Sequence, residues 1–370
     1  LLKRIILKGL LFFLMVFPLS LLAQKKDREI DERNFVQRLL GINNAQKWSH
    51  YDTTFIKDYS QDWTLRIFTA NKFNQFAVFN KDREVDQSLL YEPTPSTNLG
   101  LGFNHNWLGV NVSFNFPSSS NSHDLQTSMM DMQVNVYDVK LVGEFRLQRY
   151  QGYHVQHLGW EDWIKPTERA LDVQLAYPNL TTSSFSGNLA YVFNWRKFSY
   201  RSSFIQTQRQ LQSAGSWLAG ATYFLSSIYN DGEGILGESS IHFPEMNFQK
   251  SLSIGAGLMG GYGYNLVIRR NFYTSLTFML GPSYNYTNLE YLTEEPNAKE
   301  FRMGFCGVSR FSIGYNKANW FLGVHSALQW NAIFYEKTGL NSYNGSFRFV
   351  VGKRFGWKLK GRFFEVVGLD

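Results

Sequence analysis

Cysteine is almost missing from this chain: Cys306 is the only one in 370 residues. That excludes an internal disulfide and a thiolate metal site, and with no cysteine behind the N-terminal leader a lipoprotein anchor is excluded as well. Long hydrophobic runs are missing too. Beyond the N-terminus nothing approaches the roughly 20 consecutive apolar residues of a membrane-spanning helix, and mean hydropathy is -0.27. If the chain enters a membrane, it does not do so as a helical bundle. A dominant charge is also lacking. The net charge of +7 falls to +4 once Lys3, Arg4 and Lys8 of the leader are set aside. No basic run interleaves with aromatics, so nucleic acid is excluded as a partner.

Aromatic residues, by contrast, are plentiful at 17%, and their placement is periodic. From Leu252 the even positions run Leu252, Ile254, Ala256, Leu258, Gly260, Tyr262, Tyr264, Leu266, Ile268, and the residues between them are small or polar. Successive side chains of a strand point to opposite faces, so this alternation is a strand signal. It recurs from Phe272, Phe301 and Trp320, and the joining links, 269–271 and 316–319, are very short. The apolar face carries aromatics at both ends, Phe272 against Tyr284 and Tyr286, and Trp320 against Trp330 and Phe334. Aromatic ends on an apolar band suit the two interfaces of a bilayer. The pattern predicts an all-β fold, a transmembrane antiparallel up-and-down β-barrel whose apolar face meets outer-membrane lipid.

In chain order, residues 1–23 read as a cleaved secretory signal, with a basic start, an apolar run over 10–22 and a small residue, Ala23, before Gln24. Residues 24–61 form a charged segment with a short helical pattern over 29–40, placed either in the periplasm or in the barrel mouth. The barrel occupies 62–356, and 357–370 form a tail with no assigned role. Strand patterns begin at Trp63, with an interruption at Asn71–Lys72. They continue through 99–115, 130–147, 185–204, 213–228 and 252–334 to 343–351. Polar loops are expected at 81–97, 117–124, 229–249 and, longest of all, 151–179. This segmentation yields about thirteen strands, and since bacterial single-chain barrels have even numbers it resolves to about twelve, with fourteen as the alternative.

Several motifs stand in a fixed order: Lys72-Phe73-Asn74, Leu99-Gly100-Leu101-Gly102, Trp107-Leu108-Gly109 followed by Phe114-Asn115-Phe116-Pro117, and Tyr150-Gln151-Gly152-Tyr153. After them come Phe193-Asn194, Lys197-Phe198-Ser199-Tyr200-Arg201, and Gln210 before Ser213-Ala214-Gly215-Ser216. With these the chain resembles a Bacteroidota outer-membrane family classed as a domain of unknown function (domain of unknown function 4421), over roughly 62–355. Tyr177-Pro178-Asn179-Leu180 departs from the pattern, which has an Asp after the proline. The resemblance implies a barrel exported to the cell outer membrane and implies no activity.

The candidate site residues are the charges that strand parity turns inward: Arg66, Asp131, Glu144, Arg146, Arg201, Arg302, Arg310 and Arg348. Such groups pair into a network that fills a narrow barrel, because an unpaired charge away from water is costly; this makes the protein a membrane anchor or scaffold. A basic lumen that passes small anionic solutes is the alternative, and an outer-membrane enzyme the second. None of the seven histidines sits in a nucleophile motif, and His325-Ser326, adjacent in a strand, point to opposite faces. His154 and His157 with Glu161 and Asp162 have loosely metal-like spacing, which a polar loop explains more simply. No catalytic residue, metal or cofactor is assigned. Trp160 and Trp163 suit a loop packed on the rim or one that binds a partner or a glycan, and a periplasmic or surface protein is the partner that the anchor reading allows.

Overall fold

Alternation of apolar and polar side chains builds almost everything in the computed structural model, which describes residues 51–80, 88–105, 108–116, 125–137, 140–158, 175–235, 247–291, 298–335 and 338–356. The strands are β1 (Ile56–Asp58), β2 (Trp63–Asn80), β3 (Ser88–Glu92), β4 (Thr97–His105), β5 (Leu108–Phe116), β6 (Ser128–Tyr137), β7 (Leu141–Leu158), β8 (Leu175–Val192), β9 (Gln208–Gln210), β10 (Ala214–Tyr229), β11 (Phe248–Ile268), β12 (Phe272–Tyr291), β13 (Ala298–Asn316), β14 (Trp320–Phe334) and β15 (Thr338–Phe355). One short helix, α1 (Arg201–Phe204), lies between β8 and β9.

Neighbouring wall strands pair antiparallel, and β15 pairs with β2 to close the sheet on itself. β3 and β4 are two halves of one strand along β2, interrupted around Pro93 and Pro95. Counted that way, β2, β3/β4, β7, β8 and β10 to β15 form a closed ring of ten. β5 and β6 are two further strands outside that ring. β5 pairs along β4 and β6 along β7, yet they meet each other only at Leu108–Val136 and Gly109–Asn135. The circuit through both of them has the twelve strands expected from the sequence; fourteen is not reached.

Outward-facing residues form the apolar band. Leu258, Leu276, Phe278, Met303, Ile313, Leu322 and Phe349 are all exposed, which in water would be an aggregation-prone surface and in lipid is the ordinary state. Phe272 packs edge-on to Tyr315 near one end of the band, and Tyr284 and Tyr286 pack on Phe301 near the other. Twelve residues separate Phe272 from Tyr284. That is roughly 40 Å of strand, or about 28 Å along the bilayer normal at a 45° tilt, the height of an apolar band in such barrels. Leu258, 70% exposed, sits within it. Leu258→Arg is expected to destabilise the folded barrel by about 2–4 kcal/mol, read as a lowered unfolding midpoint in urea with lipid vesicles present; an unchanged midpoint would place Leu258 outside the hydrocarbon.

Several sequence expectations need correction. β2 runs unbroken through Asn71 and Lys72, because Lys72 continues the inward parity of Arg66, Phe68 and Ala70 and finds a partner inside. The loop expected at 151–179 is shorter: β7 continues to Leu158 and β8 starts at Leu175. The register shifts between Gln151 and Tyr153, with Pro178–Leu180 of β8 set against Gly152 alone, whose φ of +93° suits glycine. Strand β3 likewise occupies part of the loop expected at 81–97. Phe198–Phe204, expected to be strand, is not in the wall. The chain between β8 and β10 folds into the barrel's turn end, where α1 lies and β9 pairs with β1. The helical pattern at 29–40 and the tail at 357–370 fall outside the described residues.

Candidate functional site

The inward faces of the strands stack three layers. Toward the loop end the interior is apolar and aromatic: Phe76, Tyr91, Tyr153, Tyr177, Phe224, Phe248 and Leu289 belong to one buried cluster. Phe76 and Tyr91 stack at 4.5 Å, and Tyr91 OH donates to the Ile235 carbonyl (2.6 Å). Small and polar residues were expected on the inward face; in the loop-end layer inward parity falls on aromatics instead.

The middle layer holds most of the charge. Glu144 is its hub, 3% exposed. Its Oε2 pairs with Arg310 Nη2 and lies 3.4 Å from Arg146 Nη2. Its Oε1 accepts from Gln133 Nε2 (2.9 Å) and from Tyr137 OH (3.3 Å), which itself accepts from Arg310 Nη1 (3.0 Å). Arg348 joins through Gln133, donating to its Oε1 at 2.6 Å. Beside this group Asp131 pairs with Lys72 (3.2 Å) and accepts from Gln148 (2.8 Å) and Tyr150 (3.1 Å). Buried ions survive when their attraction is supplemented by hydrogen bonds to the remaining atoms, and both carboxylates have such bonds. Arg66 stands apart on carbonyl-type acceptors: Asn111 Oδ1 (2.8 Å), Asn104 Oδ1 (3.4 Å) and the Phe204 carbonyl (3.3 Å). A Cβ at Gly102 would overlap the Arg66 side chain, so glycine is what lets Arg66 lie across β4.

The third layer is the plug at the turn end, made of residues 51–62 and 193–213. Its anchor is Arg354. The guanidinium donates to the carbonyls of Gln206, Lys317 and Ala318 and to Asn316 Oδ1, all between 2.5 and 2.9 Å, and it lies over the rings of Tyr59 (4.5 Å) and Phe321 (5.1 Å). Gln206 adopts φ 55°, an uncommon conformation for a non-glycine residue that persists only where the surroundings hold it. Its carbonyl is held by Arg354, and its side-chain nitrogen donates to the Ser203 carbonyl (2.9 Å) and lies 2.9 Å from His325 Nε2. Asn265 Nδ2 donates to the Ser199 carbonyl (2.8 Å), and Ser203 Oγ donates to Asn265 Oδ1 (3.0 Å). At the solvent edge, hydrogen bonds from the Thr54 hydroxyl and amide hold Asp52 below the usual carboxylate range.

Of the eight charges expected inside, Asp131, Glu144, Arg146, Arg310 and Arg348 come together in the middle layer and Arg66 stands beside them. Arg201 is buried, but in α1 and not on a wall strand; its Nε donates to Thr207 Oγ1 (3.1 Å). Arg302 has the inward parity, opposite Asn285, yet it lies near the loop end, its side chain 45% exposed and paired with Glu300 at 2.9 Å. It does not join the network: β13 pairs with β14 only from Gly304 onward, so Arg302 sits on a stretch with no β14 neighbour. Sequence reasoning missed Lys72, Gln133, Tyr137 and Arg354. Lys72 was hidden by the supposed break in β2; Arg354 carries no signal of its own beyond inward parity at the end of a strand.

Among the described residues no three metal-ligating side chains cluster; Glu161 and Asp162, like Trp160 and Trp163, lie outside those residues. His154 Nε2 lies 3.0 Å from Thr94 Oγ1, but that hydroxyl donates to the Leu125 carbonyl (2.5 Å) and so is not poised as a nucleophile. The interior cavity beside Tyr137, Tyr200, Met279 and Arg310 has room for about one water molecule.

No curated protein matches the chain. Among solved structures it is similar in fold to the outer membrane protease OmpT from Escherichia coli, at 10% identity over 81% of this chain and 98% of that one, with a TM-score of 0.34. It is also similar to the outer membrane protein OprG from Pseudomonas aeruginosa (10% identity, 80% and 95% covered, TM-score 0.25) and to the P. putida toluene transporter TodX (7% identity, 81% and 91% covered, TM-score 0.25). At such identities and scores the likeness concerns the barrel and carries no activity across. The profile of one family, Domain of unknown function (DUF4421), matches residues 50–355, which takes in the wall strands, the charged middle layer and the plug; the chain belongs to that family.

Proposed function

We propose that this protein is an outer-membrane anchor or scaffold whose barrel is closed to solutes. One observation carries the reading: among the described residues an aromatic layer, a charged layer and a plug follow one another through the interior. A passage needs a continuous wet path, and here side chains from opposite walls bond to one another across the axis, as Arg310 of β13 does to Tyr137 of β6. Export by a cleaved leader at 1–23, insertion in the outer membrane and a Bacteroidota lineage go with this reading; the leader rests on the pattern of residues 1–23, and the lineage on the sequence resemblance alone. In it the working surfaces are the loops on one side and the N-terminal segment on the other, and the partner is a periplasmic or surface protein.

Planar-bilayer recording tests it. Purified full-length protein is expected to leave the membrane at its leak level in sodium chloride. Discrete conductance steps, with an anion preference altered by Arg310→Gln, would replace the anchor by the narrow anion pore.

A further inference from the structure

The middle layer contains more positive than negative charge. Lys72, Arg146, Arg310 and Arg348 face two carboxylates, Asp131 and Glu144. Asp131 is engaged by Lys72 at 3.2 Å, and Glu144 is closest to Arg310, with Arg146 further away at 3.4 Å. Among the described residues Arg348 pairs with no carboxylate directly: it donates to the neutral amide of Gln133 and lies over the Phe68 ring at 5.7 Å. Three of the four cations converge on one stretch of β15. Lys72 lies directly opposite Ser346. Arg348 is two residues along on the same face. Arg146 reaches across from β7 to the Asn344 carbonyl, at 3.5 Å. Diagonal neighbours of this kind are about 7–8 Å apart at their Cα atoms, close enough for like charges in a poorly hydrated interior to repel strongly. The Nε–H groups of Arg146 and Arg348 have no acceptor, and Arg146 is 5% exposed.

We propose that a small inorganic anion of halide size binds between Arg146, Arg348 and Lys72 as a resident counter-ion. Its donors are the Nε–H groups of the two arginines and the ammonium of Lys72. It screens the repulsion that Asp131 and Glu144 leave uncompensated. Binding of this kind stabilises the folded barrel by mass action and requires no solute to cross the membrane.

Full-length protein in detergent micelles is melted in sodium chloride and in sodium gluconate at equal ionic strength, gluconate being too large for the site. Chloride is expected to raise the midpoint saturably from its value in gluconate, by roughly 3 °C for each tenfold increase above half-saturation. Crystals grown in bromide are expected to show its anomalous signal beside Arg146 and Arg348. Arg348→Gln halves the excess charge and takes away one of the anion's donors, so its midpoint is expected to lose the chloride dependence and to exceed wild type in gluconate. Ser346→Asp supplies a fixed carboxylate at the same place and is expected to behave alike, which keeps the test open if one variant does not fold. Superimposable melting in the two salts, full chloride dependence retained in whichever variant folds, or bromide found only at the surface would overturn the proposal.

Discussion

Glu144→Ala is expected to destabilise the barrel by about 3–5 kcal/mol, the range for removing one partner of a buried ion pair. The reason lies in what converges on that carboxylate. Arg310 and Arg146 lose their counter-charge, and Gln133 and Tyr137 lose their acceptor. Arg310 is 4% exposed, so bulk water does not replace the lost counter-charge. Urea unfolding in lipid vesicles, followed by tryptophan fluorescence, gives the number. Glu144→Leu combined with Arg310→Met removes both charges while keeping volume, and such replacements are often neutral or better; the double variant should recover most of the loss. A single variant within about 1 kcal/mol of wild type would mean that Glu144 behaves as a solvated surface group and that the middle layer is wet.

Arg354→Ala is expected to release the plug while leaving the wall in place. The guanidinium holds three backbone carbonyls and Asn316; removing it leaves two buried acceptors, the Gln206 carbonyl and Asn316 Oδ1, each losing about 1–3 kcal/mol of satisfaction, while the Lys317 and Ala318 carbonyls lie nearer to solvent. A net loss of about 3 kcal/mol corresponds to a rise of roughly a hundredfold in local opening. Hydrogen exchange should therefore accelerate by that factor at Tyr59, Ile205 and Gln206, with the β11–β12 amides unaffected. Lysine is not expected to rescue, since a single ammonium does not reproduce a planar fork reaching several acceptors. Uniform acceleration across the wall would show that plug and barrel unfold as one unit.

How much of this was legible beforehand follows from the physics of a strand. Parity alone sorts Leu258, Phe278 and Ile313 outward and Glu144, Arg146 and Arg310 inward, because side chains alternate whatever the neighbours are. Local sequence also marks the tight turns at 269–271 and 316–319. Parity failed at Phe198–Phe204, where alternate aromatics imitate a wall strand. Tyr200 packs on Tyr137, and Phe198 and Phe204 pack on Tyr200, inside the barrel and not in lipid. Nothing local distinguishes the two destinations, since both are apolar.

The sequence by itself therefore determined a barrel, its two faces and its short-turn end, because each depends on a pattern local to a strand or a link, and the family it resembles, because its motifs stand in order along the chain. Only the tertiary structure decided that Lys72 meets Asp131, that Arg201 sits in a helix, that Arg302 remains at the rim, and that Arg354 fastens a plug. Those outcomes depend on which strands are brought face to face across the axis and how far along them the interior is packed, and a pairing between residues more than a hundred positions apart, such as Arg310 with Glu144, leaves no periodic trace in either segment.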